Sequence, residues 1–494
     1  MSSAPAVTSQ APDAAPGRRR DWWPLAVIAS AHLMAILDTT VMFVALPSAQ
    51  HALGLTVTAR QWVVTAYTLA LAGLLLPAGR LADRLGARRT LLIGVTGFAL
   101  ASAVGGASAN GAMLIAARAI QGAFAAVLVS STKSLLITVY TDRDERAQVM
   151  GAFTATLTAG MAAGLILGGV LTTELSWRWC LYINIPLSLV AVIGAPRVLP
   201  ALPSRREVRI DLADALLASA GMAALVYALG EASSLGWGSR QITGTLAAAV
   251  VLLGSFVARQ AGQARQAGQA RQARRASRLL PLRVVAERNR GGGYLALIVN
   301  ALSTFGMMLI LTYQLQSVMG YTPLQTGLAL IPFAVSAAAG SAFIAPALSR
   351  RVPLRWLVTG SVVAEAAGLL PLIWLTPASR YLPLILAATI IEGLATGIAG
   401  PTALNTALRA VLPADTGAAG AATSTASQLG SSVGAALLNT IAATATASYL
   451  AAHPASSTAT GTVHGFAVAM AWGAAILLIA ALPIGILISA KAPA

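Results

Sequence analysis

Long apolar runs separated by short polar connections recur along nearly the whole chain. Their length, about 18 to 27 residues, matches the roughly 20 that a helix needs to cross the hydrocarbon of a bilayer. Strict alternation of apolar and polar positions is absent, so the pattern predicts helices and excludes a lipid-facing barrel. Fourteen spans are expected, at residues 23 to 46, 60 to 79, 90 to 109, 112 to 138, 147 to 172, 179 to 199, 212 to 231, 243 to 258, 292 to 318, 325 to 348, 354 to 374, 382 to 404, 416 to 445 and 464 to 489. An even count puts both termini on one side.

The connections orient the bundle. Of the 33 basic residues, 27 fall in the termini or in the even-numbered connections. Arg60, Arg178, Arg240 and Arg380 fall opposite, and Arg118 and Lys133 lie inside the fourth span. Lys and Arg concentrate on the cytoplasmic face of membrane proteins, so both termini are expected in the cytoplasm of a multi-pass plasma-membrane protein. Gaining or losing one early helix would scramble that division, which supports the count.

Composition agrees. With 57% hydrophobic and 10% charged residues and a mean hydropathy of +0.74, the 494-residue chain has too few polar groups to coat a water-soluble globule. A net charge of +17 would suit nucleic acid, but the cytoplasmic bias and one Arg-rich segment account for it, so no nucleic-acid partner is expected. Cys180 stands alone, which excludes an intramolecular disulfide. His32, His51, His453 and His464 have no metal-ligand spacing and read as incidental, so neither metal nor cofactor is expected.

Five segments follow: a disordered tail (1–21), a six-span bundle (22–199), a linker with two inserted spans (200–258), a basic loop (259–290) and a second six-span bundle (291–490). From Arg259 the loop repeats RQAGQA, read as a low-complexity linker that extends the eighth helix, since Ala, Gln and Arg favour helix.

Charge inside the spans carries the candidate chemistry. Asp38 sits within LDTTVMFVALP and Arg118 within RAIQG. An ionisable group at such a depth must pair, face a wet cavity or carry a proton. Counting the helical rise, Asp38 lies roughly 12 Å and Arg118 roughly 9 Å from the external ends of their helices, so the two are expected to couple within reach of an external cavity. Changing their separation would change how firmly Asp38 holds a proton. Glu392 and Glu365 fall near the midplane of their spans. In the fifth span Gly160, Gly164 and Gly168 share one face, which lets another helix approach closely. Gln121, Asn300, Phe305, Met307, Met308, Tyr313 and Gln314 are candidates for lining a substrate cavity.

The segment GRLADRLGARR, Gly79 to Arg89, closely resembles the signature loop between the second and third helices of the major facilitator superfamily, matching at Gly79, Asp83, Arg84, Gly86, Arg88 and Arg89. By that resemblance it is a gate latch, in which Gly79 and Gly86 permit a tight turn and Asp83 caps a helix or pairs with Arg143 or Arg146. Gly151, Gly160, Gly164, Gly168 and Gly169 resemble the superfamily's antiporter motif, with Leu165 where that motif usually has proline. Asp38-Thr39-Thr40 and WRWCLYINIP (177–186) look like hallmarks of the fourteen-helix drug:proton antiporter branch. SQLGSSVGAALLNT (427–440) and HGF (464–466) are weaker echoes.

The resemblance implies an all-α major facilitator fold, two six-helix bundles around a cavity with two helices inserted between them. It implies a transporter, not an enzyme, that exports amphiphilic drugs or antibiotics in exchange for protons and works as a monomer in the bilayer. In that fold the first and fourth helices of each half resemble cavity liners, which favours Glu392 over Glu365 as a second proton site and leaves Glu365 as an interhelical hydrogen-bonding acid. A dedicated exporter of one metabolite or self-made antibiotic is the alternative. A membrane-embedded enzyme or sensor would need a catalytic cluster or soluble domain that the sequence lacks, and no GxxxxGK[ST] loop points to ATP as the driver.

Overall fold

The computed structural model describes residues 22–140, 143–200, 212–269, 287–409, 411 and 416–489, and among them the ordered structure is helical throughout. The N-terminal half contains α1 (Trp23–Leu53), α2 (Val57–Leu85), α3 (Ala87–Gly106), α4 (Gly111–Val139), α5 (Arg143–Val170) and α6 (Asn184–Val198). An inserted pair follows, α7 (Leu212–Leu235) and α8 (Arg240–Gln269). The C-terminal half contains α9 (Arg288–Tyr313), α10 (Pro323–Ala339), α11 (Leu354–Leu369), α12 (Leu386–Leu408), α13 (Thr416–Ala452) and α14 (Thr458–Leu487). Each expected span overlaps one of these helices, in order, the sixth taking in the short helix Trp179–Tyr182 as well. Eleven helical runs among the described residues are long and apolar enough to cross a membrane, and α5 and α7 supply the shorter apolar stretches Gly160–Leu175 and Ala213–Leu229. Trp23, Phe343 and Leu482, each 70% exposed or more, belong to the apolar exterior that a bilayer would cover.

Helix ends follow from local chemistry. Thr56, Asn110 and Ser457 each accept a hydrogen bond from a backbone N–H three residues on, and Thr322 with Gln325 forms a reciprocal capping box. Gly54, at φ +60°, closes α1 in the left-handed region. The Gly79–Arg89 segment is less of a loop than its glycines suggest. Gly79 lies within α2, and the whole turn into α3 is made at Gly86, whose φ of +86° a side chain would strain. α8 runs on to Gln269, carrying the start of the Arg/Gln repeat as helix. The expected tail, most of the linker after α6 and the rest of the basic loop lie outside the described residues.

Within the first half α2 and α3 flank α4, while α1 packs on α5 and α6. In the second, α9 packs on α12, α13 and α14, α11 on α12 and α14, and α10 on α12. The halves meet along two seams, α5 with α10 and α2 with α13. The inserted α7 lies over the second seam and touches both sides of it. Ser219 donates to the Gly73 carbonyl at 2.6 Å, Trp62 Nε1 to Glu231 at 2.6 Å, and Thr440 to the Leu229 carbonyl at 2.8 Å. α8 packs on α7, where Asp214 accepts from Arg259 at 2.7 Å and Gln260 at 2.8 Å.

The core is asymmetric from pole to pole. Where α1 ends, one continuous cluster runs from Val41, Leu46 and Leu114 into Met307, Leu330 and Leu369 of the other half. Where α1 begins, Ile28, Met34, Leu91 and Leu128 form a separate core confined to the first half. The halves are therefore fused at one pole and parted at the other.

Candidate functional site

Between the parted halves lies a cavity of about 480 Å³, walled by residues of α1, α2, α4, α5, α9, α10, α12 and α13. Leu404, near the end of α12, and Thr423, near the start of α13, place it toward the pole where α1 begins. Phe43 and Phe305, one from each half, meet edge to face with centroids 5.6 Å apart. No Asp, Glu, Lys or Arg is among the described lining residues, whose polar members are hydroxyls, Gln428 and His32. Such a wall suits an apolar body with a few hydrogen-bonding groups. His32, expected to be incidental, is thus part of the wall, held by Thr132 at 2.9 Å and edge-on to Phe153.

Asp38 and Arg118 are paired, as their depths predict, with Arg118 Nη1 2.5 Å from Asp38 Oδ2 and each residue 1% exposed. Burying two charges is costly unless every remaining lone pair and proton is satisfied. Here Asp38 Oδ1 accepts from Gln121 Nε2 at 2.6 Å and from Asn184 Nδ2 at 2.9 Å. Arg118 also donates to Gln121 Oε1 at 2.7 Å and to the Val63 carbonyl at 3.3 Å. Ser102 steadies Gln121 and Asn184 from behind, at 2.8 and 3.3 Å.

In this conformation the shared core closes the pole where α1 ends, and the cavity described lies on the other side. Asp38 sits beside Thr39, which lines the inner cavity, and behind Tyr67, which also lines that cavity and whose ring lies 4.3 Å under the Arg118 guanidinium. Tyr67 therefore touches both the cavity and the ion pair.

The α5 glycines fix α1 against this site. A Cβ on Gly160 would fall 1.9 Å from Leu33 Cδ1, one on Gly164 1.9 Å from Thr40 Oγ1, and one on Gly168 3.0 Å from the Val41 carbonyl. The shared face read from their spacing is the face that α1 occupies. Gly169 points elsewhere, at the backbone of Pro323 and Leu324 in α10 across the seam.

A second polar cluster lies in the C-terminal half, where Glu365 and Glu392 are both fully buried. Ser303 donates to Glu392 Oε1 at 2.5 Å, and Asn300 donates to Glu365 Oε1 and, at 2.8 Å, to Thr396. Glu365 is the interhelical hydrogen-bonding acid expected of it, and Asn300 lies beside it.

The other expected sites divide. Phe305 and Met308 line the cavity, whereas Gln121, Met307, Tyr313 and Gln314 do not. Gln121 is consumed by the ion pair, Met307 belongs to the shared core, Tyr313 lies 3.9 Å under the Arg60 guanidinium, and Gln314 is buried where α9 widens into a π turn. In the gating segment Arg88 donates to the Leu199 carbonyl at 3.0 Å, tying α3 to the end of α6, and Arg84 and Arg89 are exposed. The side chains of Asp83, Arg143 and Arg146, and the surroundings of Gly151, lie outside the described residues.

Arg60 emerges as a functional residue that the sequence presents only as a stray charge. It donates to Asn439 at 3.2 Å, and Asn439 donates to Gln61 at 2.9 Å, so α2 and α13 are latched at the closed pole. Arg60→Ala is expected to loosen that latch and raise the fraction open at this pole about ten- to a hundredfold, the worth of one hydrogen bond to a charged group. Spin labels placed across α2 and α13 would report the longer distance, and an unchanged distance distribution would refute the latch.

The comparisons with known proteins agree with this architecture. The family profile described as Major Facilitator Superfamily matches residues 28–435. The chain is 43% identical to the puromycin resistance protein pur8 of Streptomyces alboniger over 76% of this chain and 73% of that one. It is 37% identical to the cephamycin export protein CmcT of Amycolatopsis lactamdurans, covering 76% of each. Identity to the multidrug efflux pump LfrA of Mycolicibacterium smegmatis is 31%, over 77% of this chain and 72% of that one. In fold it is similar to a bacterial homologue of the human lysosomal transporter Spinster, solved inward-facing and unoccupied, with a TM-score of 0.64 at 15% identity over 95% of this chain and 98% of that one. With two helical halves around a central cavity and a profile match over most of its length, the chain belongs to the major facilitator superfamily and is a transporter, not an enzyme.

Proposed function

We propose that the protein exports amphiphilic small molecules, drugs or antibiotics, across the plasma membrane in exchange for protons, by alternating access. The observation that carries this reading is Tyr67, which touches both a cavity with no charged group among its described lining residues and a buried Asp38–Arg118 pair. A substrate packed against Tyr67 holds the guanidinium seated on Asp38 and so keeps a proton off the carboxylate, whereas a proton taken by Asp38 removes the charge that holds the guanidinium and loosens the wall the substrate rests on. The two events act on the same pair in opposite senses, so substrate and proton displace one another through it. Inward proton movement supplies about 2.3 kcal/mol per charge for each 100 mV of membrane potential, without a cofactor.

The distribution of Arg and Lys supports cytoplasmic termini. The cavity then faces the cytoplasm, where an exporter collects its cargo. Glu392 is a second proton site, and the Gly79–Arg89 segment, with Asp83, is a latch on the cytoplasmic side. The protein works as a monomer and has no nucleic-acid partner. Similarity to a protein named for cephamycin export favours a narrower version as well, a dedicated exporter of one antibiotic.

Purified protein in liposomes holding a pH-sensitive dye, given an imposed proton gradient and a panel of lipophilic cations and neutral antibiotics, tests the reading. Substrate-dependent proton movement is expected, and the number of active compounds separates broad from narrow export. Substrate movement with no accompanying protons would overturn the antiport.

A further inference from the structure

Glu365 belongs to a hydrogen-bonded chain that begins at the cavity wall. Thr304 of α9 lines the cavity, and its hydroxyl lies 2.8 Å from that of Thr396 on α12. Thr396 in turn donates to Glu365 Oε1 at 3.3 Å. Because the Thr396 proton points at the carboxyl, the Thr304 proton points at Thr396. Both hydroxyls are thus aligned from the cavity toward the acid.

The chain ends at groups whose hydrogen-bonding capacity is not filled. Glu365 Oε2 and Glu392 Oε2 are both buried and lack a hydrogen-bond partner among the described residues. Glu392 Oε2 faces α11 at Gly368, one turn beyond Glu365, where a Cβ would come within 2.8 Å of it. The two carboxyls therefore share one pocket between α11 and α12. The contacts described for them come from Asn300, Ser303 and Thr396, all neutral, and no cation is among them. Two carboxylates cannot both stay ionised in such a place, because desolvation and mutual repulsion favour a bound proton.

We propose that Glu365 is a proton-binding site loaded from the cavity through Thr304 and Thr396, distinct from the Asp38–Arg118 pair. A hydronium ion in the cavity gives a proton to the Thr304 oxygen and is left as water, Thr304 passes its own proton to Thr396, and Thr396 passes its own to Glu365 Oε1. Each hydroxyl gains one proton and loses one, so the net change is one proton moved from the hydronium ion to the carboxylate, where Glu392 shares the pocket. The proposal rests on the antiport reading for its role in transport, but the site itself is testable without transport.

Infrared difference spectra of the purified full chain across a pH jump provide that test. Wild type should show carbonyl-stretch bands of protonated carboxyls that come and go with pH, and Glu365→Gln should lose one of them, a component that Asp38→Asn keeps. Glutamine has the same shape and keeps an acceptor for Asn300 and Thr396, so this variant should fold. Glu365→Asp should restore a titrating band. Thr396→Val, which keeps shape and removes the hydroxyl, should slow the appearance of the band by about a hundredfold or more, the usual contribution of a positioned proton-transfer group, and Thr396→Ser should recover the rate. A titrating spectrum unchanged in Glu365→Gln, or a rate indifferent to Thr396→Val, would overturn the proposal. If the band behaves as described but substrate moves without protons in liposomes, the antiport reading fails and the proton site stands.

Discussion

Asp38→Asn is expected to reduce uphill export to background while the protein still folds. Asparagine keeps an oxygen for Gln121 and Asn184 but turns an uncharged amide toward Arg118. The guanidinium then retains Gln121 Oε1, the Val63 carbonyl and the face of Tyr67. Those contacts keep the stability loss near the lower end for a broken buried pair, about 3 kcal/mol. Adding Arg118→Gln removes the orphaned charge, so the double variant should regain most of that loss, read as melting temperature, without regaining export. Recovery of export in the double variant would show that the pair holds packing and not the coupling.

A comparable loss is expected from Gly327→Val, for a geometric reason. Gly327 of α10 lies against the backbone of α5 across the seam, where a Cβ would fall 2.2 Å from the Leu165 carbonyl oxygen. Backbone cannot yield as a flexible side chain does, so closure with valine present costs about 3 kcal/mol and shifts the open–closed equilibrium at this pole by roughly a hundredfold. Transport should stall with the cavity facing the pole where α1 ends. Cys180 is buried, so a cysteine introduced at Met308 on the cavity wall gives a clean labelling site. Impermeant thiol reagent added at that pole should label it in the Gly327→Val background and not in the wild-type background. Equal labelling in both, with normal transport, would contradict this account of closure.

Much of this arrangement is written locally and was therefore legible. Apolar run length gives the helices in order, the four-residue spacing of Gly160, Gly164 and Gly168 gives the face that α1 occupies, and helical rise gives Asp38 and Arg118 the same depth. What escaped depends on which helices become neighbours. Asn184 and Ser102 are ordinary polar residues in their own helices, and only packing of α3 and α6 against α1 and α4 brings them to Asp38. The signal in hand was an asparagine within the apolar INIP string. Gln121 was misplaced for the opposite reason, since its turn of α4 faces the ion pair and not the cavity. Arg60 looked like an exception to charge placement until α13 supplied Asn439. Position along the spans marks Glu365 and Glu392 as buried acids, but depth along one axis says nothing of the hydroxyls that join Glu365 to the cavity. Gly79 and Gly86 look equivalent in sequence, and only the φ of Gly86 shows which one turns the chain.

The central claim is that substrate and proton compete through the Asp38–Arg118 pair. Calorimetric titration of substrate into the purified protein, repeated in buffers with different heats of ionisation, counts the protons released on binding. Linkage requires that release if substrate and proton displace each other. The account predicts that wild type releases protons on binding, most where the solution is acidic enough to protonate the pair beforehand, and that Asp38→Asn releases clearly fewer. Equal release by both proteins would contradict it.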